Sequence, residues 1–207
     1  NPEYLRYYYF SKLNDSMEDI DLNLDDFIAK VNSDLVGKLV NIPSRTSGFI
    51  SKFFNNMIMS SESFQTSEAK NLHSGILKIK DEVMKLFDQR QFSKASRLII
   101  THIESVNEYV NSKEPWVLAK NESHHNEKST LHEICSASLH SFRLLSIYLS
   151  PVMPNLTGKV AEFFNEEQFL SLDRLINEPL SINKYEHLLK RIEQNDIDLM
   201  VKKNTQI

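Results

Sequence analysis

The 207-residue chain is long enough for one domain with a sizeable core, and its net charge of −4 gives no global positive field to advertise nucleic-acid binding. Four Gly and six Pro, beside 41% hydrophobic and 25% charged residues, point to long helices joined by few tight turns. The single Cys135 excludes a disulfide framework and reads as a small buried residue of a reducing, cytoplasmic compartment, and no apolar run reaches the roughly 20 residues of a membrane span.

The N-terminus, NPEYLRYYYF, has no signal-peptide layout and starts in mid-helix pattern. A first helix is expected from about Pro2 to Leu13, with Tyr4, Leu5, Tyr8, Tyr9 and Leu13 on one face. Its tyrosines suggest a fragment whose missing upstream part covered them. The acidic stretch Glu18 to Asp26 holds the start of the second helix, with Asp25 and Asp26 in the first turn where the helix dipole favours negative charge. That helix turns Phe27, Val31, Leu35 and Leu39 inward and runs into NSDLVGKLVNIPSRTSGF, residues 32–49.

On a period of about 100° per residue, Asp34, Gly37, Asn41, Arg45 and Gly48 share one narrow stripe opposite Leu35, Leu39, Ile42, Phe49 and Phe53. The two glycines leave room for a large partner near the backbone. Pro43 predicts a kink between Leu39 and Pro43, either tolerated or used to splay Asn41 outward. Residues 55–67 read as a loop. Helices follow over about Glu68 to Phe87 and Phe92 to Val110, and Pro115 then turns the chain so that Trp116 stands at a corner. Residues 120–129 read as a charged loop, and Thr130 with Glu133 has capping-box spacing for a helix over about Leu131 to Leu149. A shorter helix opens at Pro154. The tail carries Leu188, Leu189 and Ile192 and a last short helix from Asp196 to Lys203, like an arm docked on something.

The chemistry-bearing residues are sparse. His132 and Cys135 have no second pair to complete a metal site, and His124 and His125 lie in the charged loop, so no metal is expected. No Gly-rich phosphate loop and no pair of catalytic carboxylates stands out. Trp116 reads either as a core anchor or as a stacking platform for an unpaired base. Arg45 and Asn41 offer donors and a donor–acceptor amide, and with a flat aromatic they form the set that single-stranded RNA loops require. Lys38, Lys52, Lys113 and Lys120 are candidates for backbone contacts.

The segments LRYYYFSKL (5–13), MEDIDLNLDDF (17–27), VNSDLVGKLVNIPSRTSGFI (31–50), VNEYVNSKEPWVLAK (106–120), ICSASLHSFRLLSIYLSPVMPNL (134–156) and LLKRIEQNDIDLMV (188–201) together resemble the C-terminal part of bacterial methionyl-tRNA synthetase, a class I aminoacyl-tRNA synthetase. The resemblance implies an all-α helical bundle that binds the anticodon, over 17–165, with a stump of the connection to a missing catalytic domain at 1–16. A C-terminal arm over 166–207 would dock back on that catalytic core in cis. It implies that Asn41, Arg45, Pro115 and Trp116 recognise the CAU anticodon loop of tRNA(Met), with Asn107 of the Asn-x-Tyr pattern reading it too or supporting the Pro-Trp corner. Pro43 departs from the small helix former usual there and puts the local geometry in question. The family's two ATP-handling motifs, methionine pocket and Cys-rich zinc knuckle are absent from these residues. No catalytic residue and no cofactor is therefore expected in this chain, while ATP, Mg and, as an optional third, Zn belong to the parent enzyme, which joins methionine to tRNA through a methionyl-adenylate. The alternative is a helical protein-interaction or scaffold domain with a structural Trp116.

Overall fold

A computed structural model describes residues 1–16, 19–120, 125–167 and 172–204. The expectations placed on Glu18, on His124 and on the rest of 121–124 lie outside these residues. The fold is an all-α bundle: α1 (Pro2–Lys12), α2 (Leu24–Val31), a π-helical stretch (Asn32–Leu39), α3 (Asn41–Phe53), α4 (Ser67–Lys78), α5 (Lys80–Asp88), α6 (Phe92–Lys113), α7 (Pro115–Leu118), α8 (His125–Tyr148), α9 (Pro154–Phe163) and α10 (Gln194–Asn204). Among the described residues there is no strand, only one antiparallel bridge between Met57 and Ser181.

The bundle is built around α8, against which α3, α4, α6, α7 and α9 pack. From Leu131 on, nearly every residue of α8 is buried, so its apolar pattern runs all round rather than along one stripe. Small residues make this possible. Ser138 and Ser146 return their hydroxyls to the carbonyls of Ile134 and Phe142, and Ser136 accepts from the Met59 amide. Cys135 is fully buried here, and burial holds its thiol far above the ordinary range, so it serves as a core residue.

Thr130 and Glu133 do not cap α8, which already starts at His125. Thr130 lies inside it and bonds the Asn126 carbonyl. The Glu133 carboxylate instead meets the amides of Gln65 and Thr66 at 2.6 and 3.0 Å, and the Thr66 hydroxyl, at the N-terminus of α4. It therefore neutralises orphan donors of a different helix. The helix expected over 68–87 is broken at Ile79, whose backbone (φ −78°, ψ −2°) ends α4 and starts α5 without a proline or glycine.

The N-terminal tyrosines are covered by this chain itself, contrary to the expectation of a missing cover. Tyr7 and Tyr8 are buried, donating to Asp34 at 2.9 Å and Asp26 at 3.0 Å, and Tyr4 donates to the Lys190 carbonyl at 2.7 Å. On the face expected to be covered, Leu5 and Leu13 stay exposed. Asp34 also leaves the expected outward stripe. It is buried between Lys30 (2.8 Å) and Lys38 (3.1 Å); burial pushes its carboxyl up, but the two lysines and the Tyr7 hydroxyl together hold it below its ordinary value. Tyr7→Phe, which deletes one hydrogen bond to a buried charge, is expected to lower stability by about 1.5 kcal/mol, read as a lower urea midpoint with an unchanged slope.

The tail runs extended past α1 and the π-helical stretch before α10. Ile192 exchanges backbone hydrogen bonds with the Asn32 side chain at 2.8 and 2.9 Å, and Leu188, Leu189 and Ile192 are buried.

Candidate nucleic-acid interface

The expected kink takes the form of a helix that widens and restarts. Residues 32–39 bond in i→i+5 register, shown by the Val40 amide on the Leu35 carbonyl at 3.0 Å. Val40 (φ −76°, ψ −7°) closes that stretch, and α3 begins at Asn41. Pro43 therefore sits in the first turn of α3, where a missing N–H is tolerated, and its ring is buried. Asn41 and Arg45 remain one α-turn apart on the same face. The Tyr185 hydroxyl, from the extended tail, donates to the Val40 carbonyl at 3.3 Å and braces this restart. Nothing in the weakly patterned tail sequence signals that role.

The second half of the site comes from the α6–α7 corner. Glu114 adopts a left-handed conformation (φ 44°, ψ 57°) that stops α6, and Pro115 opens α7 at its first position. Trp116 follows and reaches α3: the Arg45 guanidinium carbon lies 4.8 Å from the centre of its ring. Pro115 is buried while Trp116 and Arg45 are partly exposed. Asn107, just over two turns upstream on α6, accepts from Asn41 Nδ2 at 3.0 Å and donates through its own Nδ2 to the carbonyls of Lys38 and Ile103, both at 3.0 Å. The five residues thus give two contacting pairs, Asn41 with Asn107 and Arg45 with Trp116, with Pro115 buried next to Trp116 in the chain.

Arg45 makes no hydrogen bond or ion pair to any described residue, so its five donors stay available on a partly exposed surface next to a flat ring. The lysines are less available than their sequence positions suggest. Lys38 is tied to Asp34 and, at 2.8 Å, to Glu104; Lys113 is tied to Glu68 at 2.8 Å; and Lys52 lies 4.5 Å from the Phe53 ring centre. Lys120 is exposed. Gly48 stands open, with nothing within 4 Å of where a Cβ would be, whereas a Cβ on Gly37 would meet the Asn32 carbonyl at 3.2 Å. Of the two glycines only Gly37 answers a steric need, and that need is internal to the π-helical stretch. Among the described residues no three His, Cys, Asp or Glu side chains converge as a metal site, and no helix is long and apolar enough to cross a membrane.

A family profile described as "tRNA synthetases class I (M)" matches residues 1–47. The methionine–tRNA ligase of Cupriavidus necator is 42% identical over 206 residues, which cover 99% of this chain and 29% of that protein. That of Psychrobacter cryohalolentis is 44% identical over 204 residues, covering 97% and 28%. The crystal structure of the apo form of Mycobacterium tuberculosis methionyl-tRNA synthetase superposes with a TM-score of 0.82 at 16% identity, covering 92% of this chain and 39% of that one. The chain thus spans under a third of the length of the curated relatives it matches.

Proposed function

The chain belongs to the methionyl-tRNA synthetases as one segment of such a protein, and from that premise we propose that it is the anticodon-reading module, binding the CAU loop of tRNA(Met). The observation that carries this reading is the convergence of Trp116, Arg45 and Asn41 from two separate elements onto one partly exposed surface. Trp116 stacks on a loop base, an interaction worth ~1–3 kcal/mol; Arg45 supplies donors and Asn41 an amide to the base edges. Residues 17–165 form the reading domain. Residues 1–16 are the link to a catalytic domain in cis, and the arm over 166–207, whose Lys190 backbone bonds Tyr4 of α1, continues toward it. The parent enzyme charges tRNA with methionine through an ATP-derived adenylate; this segment alone binds RNA without forming the adenylate.

Trp116 is the chain's one tryptophan, so its fluorescence reports on the site without labels. A stem-loop carrying CAU is expected to quench it saturably, and the same stem-loop with another base in place of C is expected to quench it far less. Absence of any response to either RNA would favour a helical scaffold domain in which Trp116 and Arg45 only brace the α6–α7 corner.

A further inference from the structure

Which end of the Asn41 amide faces outward is decided by residues behind it. An amide nitrogen and an amide oxygen have nearly the same shape, so only their partners distinguish them. One end of the Asn107 amide lies 3.0 Å from the Lys38 carbonyl and 3.0 Å from the Ile103 carbonyl. Two acceptors can be satisfied only by an NH2 group, which fixes that end as Nδ2. The other end is then an acceptor, and it faces Asn41 at 3.0 Å. Asn41 must present its own Nδ2 there, and its Oδ1, which accepts no hydrogen bond from a described residue, is left for a ligand.

Resting on the RNA reading above, we propose that Asn107 is a positioning residue for base discrimination: it sets the polarity of the Asn41 amide so that the site offers one acceptor beside the donors of Arg45. That arrangement selects a base edge carrying an exocyclic amine next to a ring acceptor. Cytosine presents an N4 donor followed by N3, whereas uracil in the same seat puts its O4 acceptor against Asn41 Oδ1. Asn107 itself need not touch RNA, since its oxygen and both amide hydrogens are already engaged with the protein.

The test uses the 207-residue chain, Trp116 fluorescence and two stem-loops that differ only in carrying CAU or UAU. Wild-type protein is expected to prefer CAU by about tenfold, and Asn107→Ala, in which the Asn41 amide turns freely, to prefer it by about twofold or less with little change for UAU. A variant that weakens both loops equally and keeps the ratio overturns the positioning role while leaving the RNA reading intact. Wild-type protein that binds both loops equally overturns the discrimination, and wild-type protein that binds neither overturns the RNA reading with the proposal. Should Asn107→Ala fail to fold by circular dichroism, the wild-type side-chain amide of Asn41 decides by nitrogen-edited NMR. One proton shifted downfield and slowed in exchange is expected; two protons exchanging like those of an exposed asparagine overturn the proposal.

Discussion

Trp116→Ala is expected to weaken binding of a CAU stem-loop by ~1–3 kcal/mol, roughly 5- to 150-fold, measured by the anisotropy of a labelled RNA because the variant has no tryptophan left. Two losses combine. The base loses its platform, and the Arg45 guanidinium loses the ring that holds it 4.8 Å away in a cation–π contact. The fold should survive, since Trp116 is only partly buried and Pro115 and the left-handed Glu114 still turn the corner. Trp116→Phe keeps an aromatic face and should restore part of the affinity. In the intact ligase the same change is expected to depress tRNA charging while leaving adenylate formation untouched. Unchanged charging efficiency would sink the stacking role.

On the RNA reading proposed above, charge contributes less here than on most RNA-binding surfaces. The chain carries a net −4, and Lys38 and Lys113, which flank the site in sequence, are engaged with Asp34, Glu104 and Glu68. Of the candidate cations, Arg45 and the exposed Lys120 have no anionic partner among the described residues. The affinity of this segment should therefore depend only weakly on salt, since few counterions are displaced when few phosphates are neutralised.

The helices were legible wherever a residue type marks a boundary. Pro2 and Pro154 open α1 and α9, Pro115 marks the corner though not the short helix α7 that it opens, and the buried sides of α2 and α6 follow from spacing alone. What was not legible depended on contacts between distant segments. Glu133 has capping-box spacing with Thr130, but it is spent on Gln65 and Thr66 because α4 docks against α8 there. The break at Ile79 carries no proline or glycine and follows from packing. The tyrosines of α1 looked uncovered because the groups that cover them, Asp34 and the Lys190 backbone, lie 27 and 186 residues away.

The stripe over 32–49 shows the same division. A uniform 100° step keeps Asp34 and Arg45 on one face, but the π-helical stretch has more residues per turn and rotates Asp34 into the core before α3 restarts. Asn41 and Arg45 survive as a pair because both lie after the restart. Their meeting with Trp116 and Asn107 was implied by resemblance and not by pattern, since no periodicity relates α3 to the end of α6. The Lys38 carbonyl that Asn107 grips is a backbone atom and carries no residue-type signal at all.

Glu166→Gln is expected to lower stability by about 1.5–3 kcal/mol. Arg143 is the largest fully buried side chain of the bundle, and its guanidinium meets Glu166 with Nε at 2.5 Å and Nη2 at 2.6 Å, with Nη2 also on the Arg174 carbonyl at 3.0 Å. Glu166 is held in place by the end of α9. Asn165 turns left-handed (φ 54°), its amide bonds the Glu162 carbonyl at 3.2 Å, and the Glu166 amide bonds the Ala161 carbonyl at 2.9 Å. Those two bonds form a Schellman cap that aims the carboxylate at α8. Glutamine preserves shape and one acceptor but removes the carboxylate's charge and one of its two acceptors for the guanidinium, and the loss of that charge-assisted contact is the main penalty. For a chain of this size the loss corresponds to a fall in Tm of roughly 3–12 °C. A Glu166→Gln midpoint within 2 °C of wild type would show that other groups near Arg143 balance its charge and that the α8–α9 clamp contributes little.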